Sequence, residues 1–524
     1  MHKITSKIAA GIQKRQTGKR EEESAENKLT VQDTFESSIY RFRKQHGVNL
    51  GSWFVLERWI TDAPFHCAVP PAKSDLDVAR GHDARSVLEA HYDSWITESD
   101  WAWISDRGIN TVRIPIGYYH LCGADKSVLS GTDFQNLSDV FSGAWARLIQ
   151  AIETARRFGL GVLLATNYFL FEDLHAAPGK QNPDAHAGTS NPATFFSDQR
   201  SRMHTIHVLR TLVIHLKAHS PSLVNVVGIE LLNEPHPSSD AEMKTWYSAA
   251  IKDISALDST LPIYLGDCWK TDQYAEYIKS KSTPHSSLLV LDHHLYRCFT
   301  SSDISTPAST HAHALADERS TTPRMFARVA EMLDSAGAGL VVGEWSGALN
   351  PGSLTGSPDD LKNYVEAQLK LYEAHCSGNF FWTYKKAGHH PDPGWCLRDA
   401  VDSGVFPSTV GLFALRSSED DHERQAVARD KLKNKALGEH TAYWSKYPGK
   451  YRHERFAEGF AVGWDDAYIF FAANSRLDRP VSELGFLGAR AKTRTNDQSS
   501  FWEFQHGFRQ GVNAARNDFR KNYC

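Results

Sequence analysis

The 524-residue sequence contains no window of about 18 apolar residues, which excludes a membrane-spanning helix. It also has no long basic run in its body. Lys and Arg number 58 against 62 Asp and Glu, a net charge of −4, so nucleic acid is not an expected partner. The seven cysteines (Cys67, Cys122, Cys268, Cys298, Cys376, Cys396 and Cys524) are odd in number, scattered, and never in CxxC spacing. That is the usage of reduced thiols in an intracellular compartment, not of a disulfide framework. No GxGxxG follows an early apolar run, which removes the signature of an open dinucleotide-binding sheet. The opening stretch MHKITSKIAAGIQKRQTGKREEE lacks the apolar core of a secretory signal, so the expected location is intracellular and cytoplasmic. Ile4, Ile8 and Ile12 fall on one face of a basic stretch, which leaves a mitochondrial presequence open beside a plain disordered tail.

What the sequence does have is a rhythm. Eight short apolar runs recur: HGVNLGSW (46–53), INTVRIPIGYY (109–119), LGVLLATNY (160–168), VVGIELLNEP (226–235), LPIYLGDCW (261–269), SLLVLDHHLY (287–296), GLVVGEWSG (339–347) and GNFFWTYK (378–385). Between them lie segments such as FSGAWARLIQAIETARRFG and LKNYVEAQLKLYEAHCSG, whose apolar residues recur every three or four positions, the period of a helix. Strand and helix alternating eight times predict an α/β protein with a closed (β/α)8 barrel. Past about residue 415 the rhythm gives way to charged and aromatic helical patterns, with Phe501, Phe504, Phe508 and Val512 on one face. The expected organisation is a polar tail over 1–45, a catalytic barrel over 46–415, and a mostly helical extension over 416–524 packed on the barrel.

Working residues of such a barrel stand at the C-terminal ends of its strands. Strand two ends near Arg113, strand three leads to His175, and strand four ends at Asn233 and Glu234, where Pro235 stops the ladder. Strand six carries His294 and Tyr296, strand seven ends at Glu344, and strand eight carries Trp382. Glutamates ending strands four and seven can face each other across the mouth. Facing carboxyls suit cleavage of a glycosidic bond, one protonated to serve the leaving oxygen and the other ionised to attack the anomeric carbon. Arg113 beside Glu344 would hold that carboxylate charged, and its charge would raise the pKa of Glu234. The Asn233 amide can donate to a sugar 2-hydroxyl, and Trp382 can lie under a pyranose ring.

Plainer readings stand beside these. Glu234 alone could cap the following helix, Glu230 could form an interior ion pair, and Arg113 could pair with Glu230. His293 is expected to point away from His294 into packing. The histidines of HAH (311–313) fall in a Ser/Thr/Ala-rich loop, not at the end of strand one, so neither a catalytic metal nor any other cofactor is expected. His389 and His390 lie in a Pro/Gly-rich loop.

The blocks HGVNLGSWFVLERWIT, WITESDWAWISDRGINTVRIPIGYY, DLHAAPGKQN, GIELLNEP, LDHHLY, VVGEWSGAL and AQLKLYEAHCSGNFFWTYK resemble, in order, those of glycoside hydrolase family 5, and within it the fungal exo-β-1,3-glucanases. The likeness spans about residues 46–410. It implies a retaining β-glucosidase or exo-β-1,3-glucanase acting on a carbohydrate or glucoside, with Glu234 as acid/base and Glu344 as nucleophile. It also implies that Arg113, His175, Asn233, His294, Tyr296 and Trp382 bind substrate. A catalytically silent sugar-binding or scaffold protein on the same barrel is the alternative, and the full set of matched residues counts against it. The sequence departs from the secreted members in lacking an export signal, in its C-terminal extension, and in the short segment SGALNPGSLTGSPDD after Glu344. That last departure puts a preference for a β-1,3-glucan chain in doubt.

Overall fold

The computed structural model describes residues 33–165, 176–183, 187–283, 286–418, 420–473 and 480–524. Eight parallel strands close on themselves in chain order. They are β1 (Gln45–Asn49), β2 (Thr111–Pro115), β3 (Gly161–Ala165), β4 (Val226–Glu230), β5 (Ile263–Gly266), β6 (Leu289–Arg297), β7 (Gly339–Leu349) and β8 (Gly378–Phe381). The seam is the β1–β8 pairing, with Gly47 opposite Phe380. Gly47 is required there, since a Cβ would lie 2.1 Å from the Phe380 ring.

Strand parity sorts the side chains. Val112, Ile114, Val162, Leu164, Ile263, Leu265, Leu289 and Leu291 face the helix layer and join its core. Leu163, Tyr264, Val290, Val341 and Phe380 fill a separate interior cluster. On β6 the inward set continues from Val290 through Asp292 to His294 and Tyr296. His293 faces out, where its Nδ1 meets Asp267 Oδ2 at 2.7 Å and its ring meets Phe326. On β7 a register shift between Val342 and Glu344 resets the parity, and Trp345 joins the helix-layer core. Gly343 sits at the shift because the Asp292 carboxylate occupies the space a Cβ would need, 2.2 Å away, while Gly343 N–H donates to Asp292 Oδ1 at 2.7 Å.

The N-terminal end of the barrel is closed from both chain ends. Residues 33–42 form a helix, so the expected tail stops short of residue 45. Ile39 and Tyr40 are buried, Arg41 donates to Thr260 Oγ1 at 2.7 Å, and Glu36 pairs with Arg156 at 2.6 Å. Tyr40 and Phe486 plug the interior cluster from below. Beyond the barrel, helices His422–Trp444, His453–Ala472, Leu487–Thr493 and Phe501–Tyr523 share a core of Phe460, Trp464, Phe504 and Phe508. The HAH histidines, expected in a loop, lie in the helix Ala308–Ala316, where His311 Nε2 meets Asp303 O. All seven cysteines are free, and no helix among the described residues is long and apolar enough to cross a membrane.

Candidate active site

The C-terminal ends of the strands converge on Arg113, whose guanidinium is wholly buried. Its Nη1 donates to Glu344 Oε1 at 2.8 Å and to Asn49 Oδ1 at 2.8 Å. Its Nη2 donates to Glu230 Oε2 at 2.8 Å and to Asn233 Oδ1 at 2.6 Å. Of the two partners the sequence left open for Arg113, Glu344 and Glu230, it takes both. A planar five-donor fork can hold two carboxylates and two amides in one plane, which a lysine cannot. Because Arg113 fixes the Asn233 amide through its oxygen, the amide nitrogen is left without a hydrogen-bond partner among the described residues.

Glu344 also accepts from the Tyr296 hydroxyl at Oε2, 2.9 Å away. Among the described residues, Glu234 is approached by an imidazole: His294 Nδ1 makes an ion-pair contact with Glu234 Oε1 and lies 3.5 Å from Glu344 Oε2. One oxygen of Glu234, a nitrogen of His294 and an oxygen of Glu344 lie within 4.8 Å of one another. Glu234 holds its place with a φ of +31°, a conformation that costs a non-glycine residue energy and is found where the surrounding structure dictates it.

Burial pushes the Glu234 carboxyl well above the usual range, and the charge of Glu344, then that of Asp267, pushes it further. Burial pushes Glu344 well above the usual range too, although there the Arg113 guanidinium and the Tyr296 hydroxyl pull against it. The two carboxyls therefore differ in kind. One is clamped by a fixed cation and a hydroxyl, and the other is backed by an imidazole and a negative neighbour. Behind them Glu230, raised by burial to about 8, and Asp292, raised by burial to about 7, complete a buried acidic ring around Arg113. Glu234, His294 and Glu344 are ligand-type groups, and one of them, Glu344, already accepts from the Arg113 guanidinium.

The predicted residues Arg113, Asn233, Glu234, His294, Tyr296 and Glu344 thus come together. Trp382, directly after β8, is wholly buried, and its backbone N–H donates to Trp345 O at 2.7 Å. His175 lies outside the described residues. Sequence reading did not single out Asn49, Asp292 or Glu57. Asn49 carries a weak signal as a polar residue ending an apolar strand, and Asp292 shares the inward parity of His294. Glu57 is buried and close enough to act on Glu344, and its Oε2 accepts from Trp59 Nε1 at 2.8 Å. From Tyr296 a run of rings leads outward. Trp395 lies 5.7 Å from Tyr296, Phe299 lies 6.1 Å from Trp395, and Trp59 lies 5.4 Å from Trp395 and is 43 % exposed.

A closed parallel barrel with paired carboxyls at its C-terminal mouth is the arrangement of a barrel hydrolase acting on glycosides. Residues 81–388 match the family model described as Cellulase (glycosyl hydrolase family 5), and the chain belongs to that family of glycoside hydrolases. Residues 425–519 match the model described as Glucan 1,3-beta-glucosidase 3 C-terminal domain. Glucan 1,3-beta-glucosidase 3 of Schizosaccharomyces pombe is 29% identical over 498 residues, covering 91% of this chain and 95% of the relative. A probable glucan 1,3-beta-glucosidase A of Aspergillus fumigatus is 30% identical over 406 residues, covering 70% of this chain and 87% of its own length. Among solved structures, a rutinosidase from Aspergillus niger superimposes with a TM-score of 0.55 at 19% identity, covering 70% of this chain and 98% of that one, a likeness of fold.

Proposed function

We propose that the protein is a retaining β-glucosidase of the exo-β-1,3-glucanase type, removing one terminal β-glucosyl unit by double displacement. The observation that carries the assignment of roles is the unequal treatment of two neighbouring carboxyls, Glu344 held by Arg113 and Tyr296, Glu234 backed by His294. In the first step a Glu344 oxygen bonds to the anomeric carbon as the glycosidic C–O bond breaks, and the Glu234 proton passes to the departing oxygen. In the second, Glu234, now ionised, takes a proton from water as the water oxygen replaces Glu344. The carboxyl separation favours retention, because inversion needs room for a water between the pair, about 6.5 Å or more.

The unpaired Asn233 amide nitrogen supplies a donor for a substrate hydroxyl, and the names of the relatives support a glucosyl unit. Residues Arg113, Asn233, His294, Tyr296 and Trp382 are the candidates to hold that sugar, and the family resemblance adds His175. The run Phe299, Trp395 and Trp59 offers the aglycone an aromatic wall that ends in solvent. An intracellular location agrees with the seven free cysteines.

The test is rescue by azide. Glu344→Ala should yield the α-glucosyl azide by direct displacement, and Glu234→Ala the β-glucosyl azide through the intermediate. The same anomer from both variants would overturn the roles.

A further inference from the structure

Three helices of the C-terminal extension bring His440, His453 and Glu503 to one point. His440 lies near the end of the helix His422–Trp444, His453 opens the helix His453–Ala472, and Glu503 sits in the first turn of Phe501–Tyr523. His440 Nε2 and His453 Nδ1 each stand 3.1 Å from the same oxygen, Glu503 Oε1. The other oxygen, Oε2, accepts from Arg452 N–H at 2.5 Å. The Glu503 side chain is wholly buried and that of His440 is 1% exposed, whereas His453 is 28% exposed and opens the cluster to solvent.

A buried carboxylate needs a cation or a metal. The nearby cations are engaged elsewhere: the Arg452 guanidinium pairs with Glu454 and Asp497, and that of Arg455 with Glu458 and Asp497. Among the described residues, the charge-bearing partners of Glu503 are the two imidazoles alone. Two imidazole nitrogens and a carboxylate oxygen, all within 4.8 Å of one another, are the donor set of a divalent transition-metal centre. Around a tetrahedral zinc such donors stand about 3.3 Å apart, given bonds of about 2.0–2.1 Å.

The surroundings hold the carboxylate and one imidazole in place. The Arg452 N–H orients the carboxylate, and the Phe456 ring stacks on His440 at 4.1 Å and an interplanar angle of 14°. His506, its ring 5.4 Å from that of His440, stands beside the set with its Nε2 held by Gln510 Nε2 at 3.0 Å, so the fourth position would fall to water. Nothing in the two-carboxylate glycosidase chemistry uses this cluster.

We propose that His440, His453 and Glu503 form a Zn2+ site that ties the three helices of the extension together. Imidazole and carboxylate donors suit Zn2+ and admit Co2+ as a spectroscopic stand-in. Their positions on three separate helices make the metal a cross-link of the tertiary structure.

The experiment uses the full-length protein, stripped with EDTA and dialysed. Zn2+ binding is followed by calorimetry and by the melting temperature, and Co2+ binding by its visible absorption. The expected result is one Zn2+ per chain, a higher melting temperature with Zn2+, and the intense visible bands of tetrahedral Co2+. His453→Ala removes the most exposed ligand and so leaves the packed core untouched. It should weaken Zn2+ binding by at least about tenfold, abolish the rise in melting temperature and bleach the Co2+ bands. Folded wild-type protein that takes up no Zn2+ would sink the proposal and leave a hydrogen-bonded His–Glu–His cluster. Equal affinity in wild type and His453→Ala would sink it too, by placing the metal elsewhere.

Discussion

Arg113 Nη1 donates to Glu344 Oε1 at 2.8 Å, and neither side chain is reached by solvent. One guanidinium thereby orients Glu344, Glu230, Asn49 and Asn233 together. Arg113→Lys keeps the charge and loses the fork. We expect kcat to fall by about 100-fold or more, since removing one preorganised donor costs that much where charge changes during reaction. Breaking the buried pairs should also cost about 3–5 kcal/mol of stability, read by denaturant unfolding. A variant with near wild-type kcat would show that the fork is dispensable.

Much of this was legible in the sequence because physics repeats itself there. Strands such as β3 and β5 read as unbroken apolar runs because both faces of a parallel barrel strand are covered, while covering helices show three-and-four spacing. Glu234 was visible as an acid just before Pro235, and the structure places it four residues past the end of β4. The helix at 33–42 also had a signal, with Phe35, Ile39 and Phe42 at helical spacing, but the acidic and Ser-rich residues around them read as tail. Asn49 and Asp292 were hidden for another reason. Their roles depend on the register between strands, and the β7 shift beside Gly343 that seats Asp292 leaves no local pattern.

The carboxyl pair makes a signed pH prediction. If Glu234 is the acid, as proposed, activity needs it protonated, and kcat/KM should fall as pH rises through its elevated pKa. Glu344→Gln removes a charge that raises Glu234, so the Glu234 pKa should drop, as read by its infrared carboxyl band. Stability has its own sign. Glu230 is raised by burial from 4.5 to about 8, so its contribution is full below 4.5 and is lost as pH rises through about 8. Glu230→Gln should flatten the decline of melting temperature across that window. An unchanged slope would mean that Glu230 titrates alike in folded and unfolded chains.

The extension depends on four glycines that the sequence reading passed over. A Cβ on Gly459 would lie 2.0 Å from Phe504 O, and one on Gly463 2.2 Å from Phe508 O. Reciprocally, Gly507 meets Phe456 O at 2.0 Å and Gly511 meets Phe460 O at 2.1 Å. Small residues four apart on both helices thus let the backbones touch, a crossing that no side chain permits. Gly463→Val should force the helices apart and destabilise the protein by about 1–3 kcal/mol or more, while Gly438→Ala, where nothing lies within 4 Å of the added Cβ, should not. Equal melting temperatures for the two variants would refute the close crossing.

The last prediction concerns the leaving group. β7 ends at Leu349 and the next long helix begins at Asp360, so only a short connection follows Glu344 on that side of the mouth. Beside it the wall is aromatic, running from Tyr296 through Phe299 and Trp395 to the exposed Trp59. Flat apolar surface rewards an apolar aglycone by area alone, whereas a second and third glucose need hydrogen bonds that a short connection supplies poorly. We therefore expect kcat/KM for an aryl or lipid β-glucoside to exceed that for laminari-oligosaccharides of any length. Lengthening the oligosaccharide beyond two units should gain little, because each well-held extra sugar would otherwise appear as tighter binding of the transition state. Trp59→Ala should narrow the gap, lowering kcat/KM for the apolar glucoside by about tenfold and leaving laminaribiose nearly unchanged, since burying or exposing one aromatic face is worth about 1–2 kcal/mol. A steep rise in kcat/KM from laminaribiose to laminaritetraose would contradict the reading and assign the same pocket to a β-1,3-glucan chain.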